Sequence, residues 1–111
     1  MEIKFLCFIL FDHWVADFVG QSDYMAKGKS SNNWILLWHI TVYTGLLSLL
    51  TGFKNPAWAL LNGAIHFVVD WFTSRASSKL YKDGKIHEFF VVIGFDQFIH
   101  TALLIYTWTV L

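Results

Sequence analysis

The chain has 111 residues, of which 56% are hydrophobic, 19% aromatic and only 14% charged. Soluble domains carry about a quarter charged residues, so this composition favours a membrane protein, and the length predicts a single domain over residues 1–111. The eight basic and eight acidic residues cancel, which excludes a net field that attracts nucleic acid, and the single cysteine excludes an internal disulfide and a thiolate-rich zinc cluster.

Four apolar segments set the predicted secondary structure. Each is long enough to cross or nearly cross a bilayer, and no stretch shows the alternation typical of a strand. Polar residues interrupt the first segment, which is therefore the weakest of the four. The predicted fold is all-α, an integral membrane four-helix bundle. Its helices cover roughly residues 3–24, 33–52, 57–79 and 88–111.

Basic residues are distributed unevenly between the predicted loops. The side opposite the two basic loops holds only Lys4 and Lys54. By the positive-inside rule, the basic loops face the cytoplasm and both termini lie on the non-cytoplasmic side. The loops after the first and third helices hold Lys27, Lys29, Arg75, Lys79, Lys82 and Lys85.

Four of the five histidines lie inside apolar segments, and three of those have an aspartate four residues away. Because four residues make about one helical turn, each pair projects from one face of its helix. Helix direction and a rise of about 1.5 Å per residue place all these groups in one layer in the cytoplasmic half of the bundle. The seven candidate metal ligands are His13, Asp17, His39, His66, Asp70, Asp96 and His100.

Imidazole and carboxylate donors without thiolate are typical of sites for zinc, manganese, iron, cobalt or nickel. Ionisable groups in a membrane segment are costly and commonly mark function. Seven donors exceed the needs of one tetrahedral ion, so the pattern predicts two divalent transition-metal ions bridged by a carboxylate, with zinc favoured and manganese or iron as alternatives. Two other interpretations stay open: histidine–aspartate hydrogen bonds that only hold the bundle, and a proton or ion pathway.

Four residues are candidates for catalysis beside such ions. Asp17 or Asp70 would assist if not bound to metal, and Gln21, four residues after Asp17, would orient water. Arg75 follows Asp70 at the cytoplasmic mouth of the bundle, where it would clamp a phosphate or carboxylate group. An anchor in the basic loop is the alternative role for Arg75.

Four stretches of the chain together resemble one known family. They are HWVADFVGQSDYMAKGKS (13–30), LLWHITVYT (36–44), HFVVDWFTSR (66–75) and FFVVIGFDQFIH (89–100). They resemble domain-of-unknown-function family 3307, which comprises small bacterial and phage integral membrane proteins. The resemblance implies a multi-pass protein of a bacterial, or phage-infected bacterial, inner membrane, and it implies no activity. By the family pattern, the signature positions are His13, Asp17, Gln21, Met25, Lys29, His39, His66, Asp70, Asp96, Gln97 and His100.

The intramembrane His/Asp pattern is also similar, more weakly, to that of membrane-bound metal-dependent hydrolases. The predicted function is a metal-dependent hydrolase in the lipid bilayer that cleaves a lipid-linked or amphipathic phosphoester, ester or amide, including anionic substrates. The alternatives are a membrane di-iron redox enzyme, a non-enzymatic carrier of metal or protons, and a small assembly subunit. Pairing of the chain with itself as a homo-oligomer is a further expectation.

Overall fold

The computed structural model describes residues 2–111, which form five α-helices and one π-helical segment and contain no strand. The predicted all-α class is confirmed. The helices are α1 (Ile3–Trp14), α2 (Asp23–Gly28), α3 (Asn33–Leu50), α4 (Pro56–Lys82) and α5 (Ile86–Val110), and the π-helical segment, Val15–Val19, follows α1 directly.

The structure divides the first predicted helix, residues 3–24, into three pieces. The π-helical segment ends where the Gly20 N–H donates to the Val15 carbonyl at 2.8 Å. Ser22 is then extended, and its hydroxyl accepts from the Met25 N–H at 3.2 Å to cap α2. A serine side chain competes for backbone N–H groups, so it starts a helix more readily than it continues one. The four predicted helices therefore become five.

The other three predicted helices lie within a few residues of α3, α4 and α5. Asn32 and Asn55 cap α3 and α4, because each side-chain oxygen accepts a backbone N–H from the first turn. α3 ends two residues before the predicted boundary, since the chain turns through positive φ angles of 65° at Gly52 and 59° at Phe53. α4 continues three residues beyond its predicted end, and Gly84, with a φ of 75°, completes the turn into α5.

The long helices share one interior. α3 packs against α4, α4 against α5, and α1 against both α3 and α5. Short connections make consecutive long helices antiparallel. Part of the interior is apolar, and there the Trp58 indole N–H donates to the Leu104 carbonyl at 2.9 Å. This apolar cluster consists of Ile9, Ala16, Tyr43, Leu47, Trp58, Ala59 and Leu104.

The π-helical segment and α2 lie on one side of the bundle. Both lie against α3, and within the described chain neither backbone packs against α4 or α5. Only side chains bridge the gap, such as the ion pair between Lys29 and Asp70. A cleft therefore remains between this part of the chain and the α4–α5 hairpin.

Two helices are long and apolar enough to cross a membrane by length and composition: α3, with a mean hydropathy of 1.3, and α5, with 1.7 over a window of 18 residues. The other two predicted spans do not meet that standard. α1 has 12 residues, so it is about 18 Å long, whereas the hydrocarbon core of a bilayer is about 30 Å thick. α4 has 27 residues but carries several polar side chains of the site described below and a basic last turn.

Candidate metal centre

The structure gathers the seven predicted ligands into one contiguous polar cluster. None of the seven is more than 7% exposed. They belong to α1, the π-helical segment, α3, α4 and α5, so the cluster forms only when these elements pack together. The spacing of four residues keeps each pair on one helix face, as for Asp96 and His100, whose side chains lie 3.1 Å apart.

Asp17 reaches this cluster from the π-helical segment. A π-turn closes its hydrogen bond over five residues, so it widens the helix and changes the direction of the side chains around it. The segment lies against α3, and there the Asp17 carboxylate meets His39. Single π-turns inside helices occur frequently at functional sites.

Three donor atoms converge at the centre of the cluster. Asp17 Oδ1 lies 3.1 Å from His39 Nε2 and 3.4 Å from His66 Nε2, and the two Nε2 atoms lie 3.2 Å apart. Zinc bonds of about 2.0–2.1 Å in tetrahedral geometry place neighbouring donors roughly 3.3 Å apart, so these contacts match one face of a coordination tetrahedron. The Nδ1 atoms of both histidines have no hydrogen-bond partner, so both rings make their polar contacts through Nε2. We call Asp17, His39 and His66 the triad.

Asp70 adjoins the triad and pairs with a lysine. Its Oδ2 lies 3.7 Å from the Nε2 atoms of both His39 and His66. The Lys29 ammonium, at the end of α2, lies 3.0 Å from the same oxygen. The Asp70 side chain is 3% exposed and that of Lys29 17%, so solvent screens this pair only weakly. Lys29 therefore supplies a fixed positive charge beside the converging donors.

A hydrogen-bonded network extends from the triad towards α5. The Gln97 amide donates to Asp17 Oδ2 at 3.3 Å and to Asp96 Oδ2 at 3.0 Å. Its oxygen accepts from His13 Nε2 at 2.8 Å, and His13 Nδ1 contacts the Tyr43 hydroxyl at 3.2 Å. Gln97 thus holds the second oxygen of Asp17, which leaves Oδ1 directed at His39 and His66.

Asp96 and His100 support this arrangement from α5. Asp96 Oδ1 accepts from the Thr73 hydroxyl at 2.5 Å and from His100 Nε2 at 3.1 Å. The His100 ring stacks on the His66 ring with 3.9 Å between centroids. These contacts orient neighbouring side chains and direct no further donor at the triad. Within residues 2–111 the triad is the only group of three converging metal donors.

A cavity of about 450 Å³ connects the polar cluster to the lysine-bearing end of the molecule. Two polar atoms in its wall, the Gln21 side-chain oxygen and the Ser74 hydroxyl, are buried and have no hydrogen-bond partner. Asp17 and Asp70 also line the cavity, so a small molecule inside it would reach the edge of the triad.

Of the four predicted catalytic residues, Arg75 lies away from the cavity wall. Its guanidinium donates to the Trp71 carbonyl at 3.0 Å and to Asn33 Oδ1 at 2.6 Å, and it lies over the Trp71 ring at 4.2 Å. These contacts tie α4 to the start of α3, which favours the anchoring role. The three that lie at the triad or in the cavity wall are Asp17, Asp70 and Gln21.

Four residues in contact with the cluster were not among the predicted site residues: Lys29, Gln97, Tyr43 and Thr73. Lys29 lies in a predicted basic loop, and Gln97 projects about 100° from Asp96 around the helix, so the spacing of four residues indicates neither of them. Both are signature positions in the family pattern, so the family resemblance is the feature of the sequence that indicates them. Tyr43, whose ring lies 4.1 Å from that of His66, is four residues after His39, so the same spacing that paired the other residues indicates it.

Comparison with known proteins gave one match. The family model described as "Protein of unknown function (DUF3307)" matches residues 5–111. Neither the curated proteins nor the solved structures include a match to this chain. The resemblance predicted from the sequence is confirmed, and the family description assigns no activity.

The pair between Lys29 and Asp70 is testable by unfolding the metal-free protein. Lys29→Met leaves the Asp70 carboxylate buried without its lysine partner, so we expect the free energy of unfolding to fall by about 3–5 kcal/mol. Lys27→Met changes an exposed lysine two residues away and is expected to cost less than about 0.5 kcal/mol.

In the double variant Lys29→Met/Asp70→Asn the carboxylate is also removed, and most of the lost stability should return. Equal effects of Lys29→Met and Lys27→Met, or no recovery in the double variant, would contradict a buried ion pair.

Proposed function

The chain belongs to the DUF3307 family, and from its site we propose that it is an integral membrane metalloprotein with hydrolase chemistry at the triad. The observation that carries this proposal is the convergence of three buried donors at 3.1–3.4 Å from one another. Two imidazoles and one carboxylate, with no thiolate, favour zinc and accept manganese or iron. A second ion, expected from seven donors, has no triad of its own among residues 2–111.

A divalent cation would also balance an acidic interior. Four aspartates are buried, and one of them, Asp12, has no hydrogen-bond partner for either carboxylate oxygen. Lys29 is the one lysine that pairs with a carboxylate in the described chain. Buried charges without compensation cost several kcal/mol each. A divalent ion held by two neutral histidines and Asp17 would leave one positive charge at the end of the cavity.

The distribution of polar side chains supports a place inside the membrane. Among the described residues, the buried side chains include 13 that are polar or charged and ten that are hydrophobic, whereas 26 large hydrophobic side chains are exposed. Soluble monomers show the opposite arrangement and keep exposed apolar patches small. On α5 alone, Phe90, Phe95, Phe98 and Tyr106 are 55–63% exposed. Contact with lipid acyl chains would satisfy this surface.

In this proposal the bundle crosses a bacterial inner membrane four times. α1 with its π-helical segment forms the first crossing, and α3, α4 and α5 form the others, with both termini outside. The support is the charge distribution, because Lys27, Lys29 and Lys82 all lie at the end where the cavity opens. By the positive-inside rule this end faces the cytoplasm.

The residues around the triad suit hydrolysis. A divalent ion, when bound, supplies Lewis-acid activation of water and of the bond to be cleaved. Asp70, at the cavity wall, would accept the proton that water loses as its oxygen bonds to the phosphorus or carbonyl carbon. The leaving oxygen or nitrogen takes up a proton as its bond breaks. Lys29 would counter negative charge on the substrate, and the unpartnered Gln21 oxygen would orient water.

Metal binding at the triad predicts stabilisation by zinc. At a concentration about 100 times the dissociation constant, zinc should add about 2.7 kcal/mol to the stability of the wild-type protein, measured as a rise in unfolding temperature. His39→Ala and His66→Ala should lose this rise. The matched control is His87→Ala, which removes the fifth histidine, exposed at the start of α5. A zinc-dependent rise that survives in both triad variants would contradict the proposed ligands.

Hydrolysis predicts a loss of turnover without loss of metal. With protein in lipid nanodiscs and a chromogenic phosphodiester that carries an acyl chain, Asp70→Asn should lower kcat at least about 100-fold, the usual contribution of a general base. Metal content should stay near the wild-type level, and His87→Ala should retain full activity. Turnover that is unaffected by chelation, or equal in Asp70→Asn and the wild type, would exclude hydrolysis at this site.

The orientation is testable with single cysteines in a Cys7→Ser background. Lys54→Cys and Lys85→Cys place exposed thiols at opposite ends of α4. In intact cells a membrane-impermeant maleimide should label Lys54→Cys, and it should label Lys85→Cys only after the membrane is opened. Labelling of both positions in intact cells would show that α4 does not cross the membrane, and the reverse pattern would invert the orientation.

A further inference from the structure

Three lysines line the mouth of the cavity, and only one of them takes part in an ion pair in the described part of the chain. They are Lys27, Lys29 and Lys82, from the α2 region and from the last turn of α4. Lys29 is paired with Asp70, whereas Lys27 and Lys82 take part in no ion pair within residues 2–111. Two lysines that approach one cavity from separate elements repel each other, so an anion between them would be stabilised from both sides.

Four serines share the cavity wall with these lysines. Ser30, Ser74, Ser77 and Ser78 line the same cavity. Ser74 is only 7% exposed, and its hydroxyl is buried with no hydrogen-bond partner. A buried donor without a partner costs about 1–3 kcal/mol, so a ligand oxygen at this point would remove a penalty that the protein alone retains. Lysine and hydroxyl donors around one space are typical of phosphate recognition.

One side of the cavity is apolar and borders the lipid-facing surface. The π-helical segment and α2 pack on α3 and leave a cleft towards α5. We call this part of the cleft the seam. Phe18, on one side of the seam, is 47% exposed, and Ile93, on the other, is 37% exposed, and both line the cavity. A chain of methylene groups could therefore leave the cavity through the seam and remain in an apolar environment.

We propose that the cavity binds the phosphate group of an amphiphile, with Lys27, Lys82 and Ser74 around the phosphate and the acyl chain in the seam between Phe18 and Ile93. The inference deepens the proposed function, because it assigns the class of substrate to the same cavity. The binding step itself needs no metal, so it can be tested separately from the triad.

The test is binding of short-chain phosphatidic acid to the full-length, detergent-purified protein after metal removal, measured by titration calorimetry at low salt. Dihexanoyl phosphatidylcholine and inorganic phosphate serve as comparison ligands. Lys27→Ala/Lys82→Ala should weaken the binding of phosphatidic acid about 25-fold, because a lysine next to an anionic lipid contributes on the order of fivefold. Ser74→Ala should weaken it about fivefold or more.

The matched control is Lys4→Ala/Lys54→Ala, which removes two exposed lysines at the opposite end of the bundle and should bind as the wild type does. All four lysines are exposed, so these variants should fold normally, and equal unfolding temperatures check this. If both double variants lose the same affinity for phosphatidic acid, the effect comes from the net charge of the protein and not from this cavity, and the proposed site is overturned. Inorganic phosphate or phosphatidylcholine binding as tightly as phosphatidic acid would overturn a phosphate-bearing amphiphile as the ligand.

These outcomes are distinct from failure of the metal proposal. Weak zinc binding with intact, lysine-dependent binding of phosphatidic acid would refute metal binding at the triad and support the phosphate site in the cavity. Tight zinc binding with no measurable affinity for phosphatidic acid, in either the metal-free or the zinc-loaded protein, would support metal binding at the triad and refute the phosphate site in the cavity.

Discussion

The structure depends on the cost of keeping carboxylates and imidazoles away from water. Asp17, His39, His66 and Asp70 are each at most 4% exposed, and they lie within 3.7 Å of one another in successive contacts. Groups of this kind are stable in an interior only when opposite charges or hydrogen bonds surround them. Lys29, Gln97 and the neighbouring histidines provide part of that compensation, and a divalent cation at the triad would provide more. Helix packing, the π-helical segment and the position of α2 all serve to bring these groups together.

The fold was predictable wherever local chemistry decides it. Asn32 and Asn55 mark the starts of α3 and α4, and the apolar segments mark three of the helices to within a few residues. The division of the first segment was not predictable from hydropathy. It depends on Ser22, whose hydroxyl favours a new helix, and on the π-turn that ends at Gly20, which packing against α3 stabilises. Tertiary contacts of this kind leave no periodic signal in the sequence.

The candidate site was predictable where spacing of four residues applied. That spacing indicated His13 with Asp17, His66 with Asp70 and Asp96 with His100, and all are buried in one cluster. Spacing could not separate the triad from the residues that support it, because the choice depends on which nitrogen or oxygen atoms converge across helices. It also could not find Lys29, which reaches Asp70 from a short helix beyond the bundle interior, or Gln97, whose length lets it turn towards Asp17. The position of Arg75 along the chain predicts a side chain at the mouth of the bundle. Contacts with Asn33 and Trp71 instead hold this side chain outside the cavity wall.

The most direct test of the central claim is the transition-metal content of freshly purified protein, measured by elemental analysis beside the His39→Ala/His66→Ala and His87→Ala variants. Sites made of buried histidine and carboxylate donors hold their metal tightly, so the wild type and His87→Ala should each contain about one equivalent per chain, and the double variant close to none. Less than about 0.2 equivalents of any transition metal in the wild type would contradict the account, as would an undiminished content in the double variant.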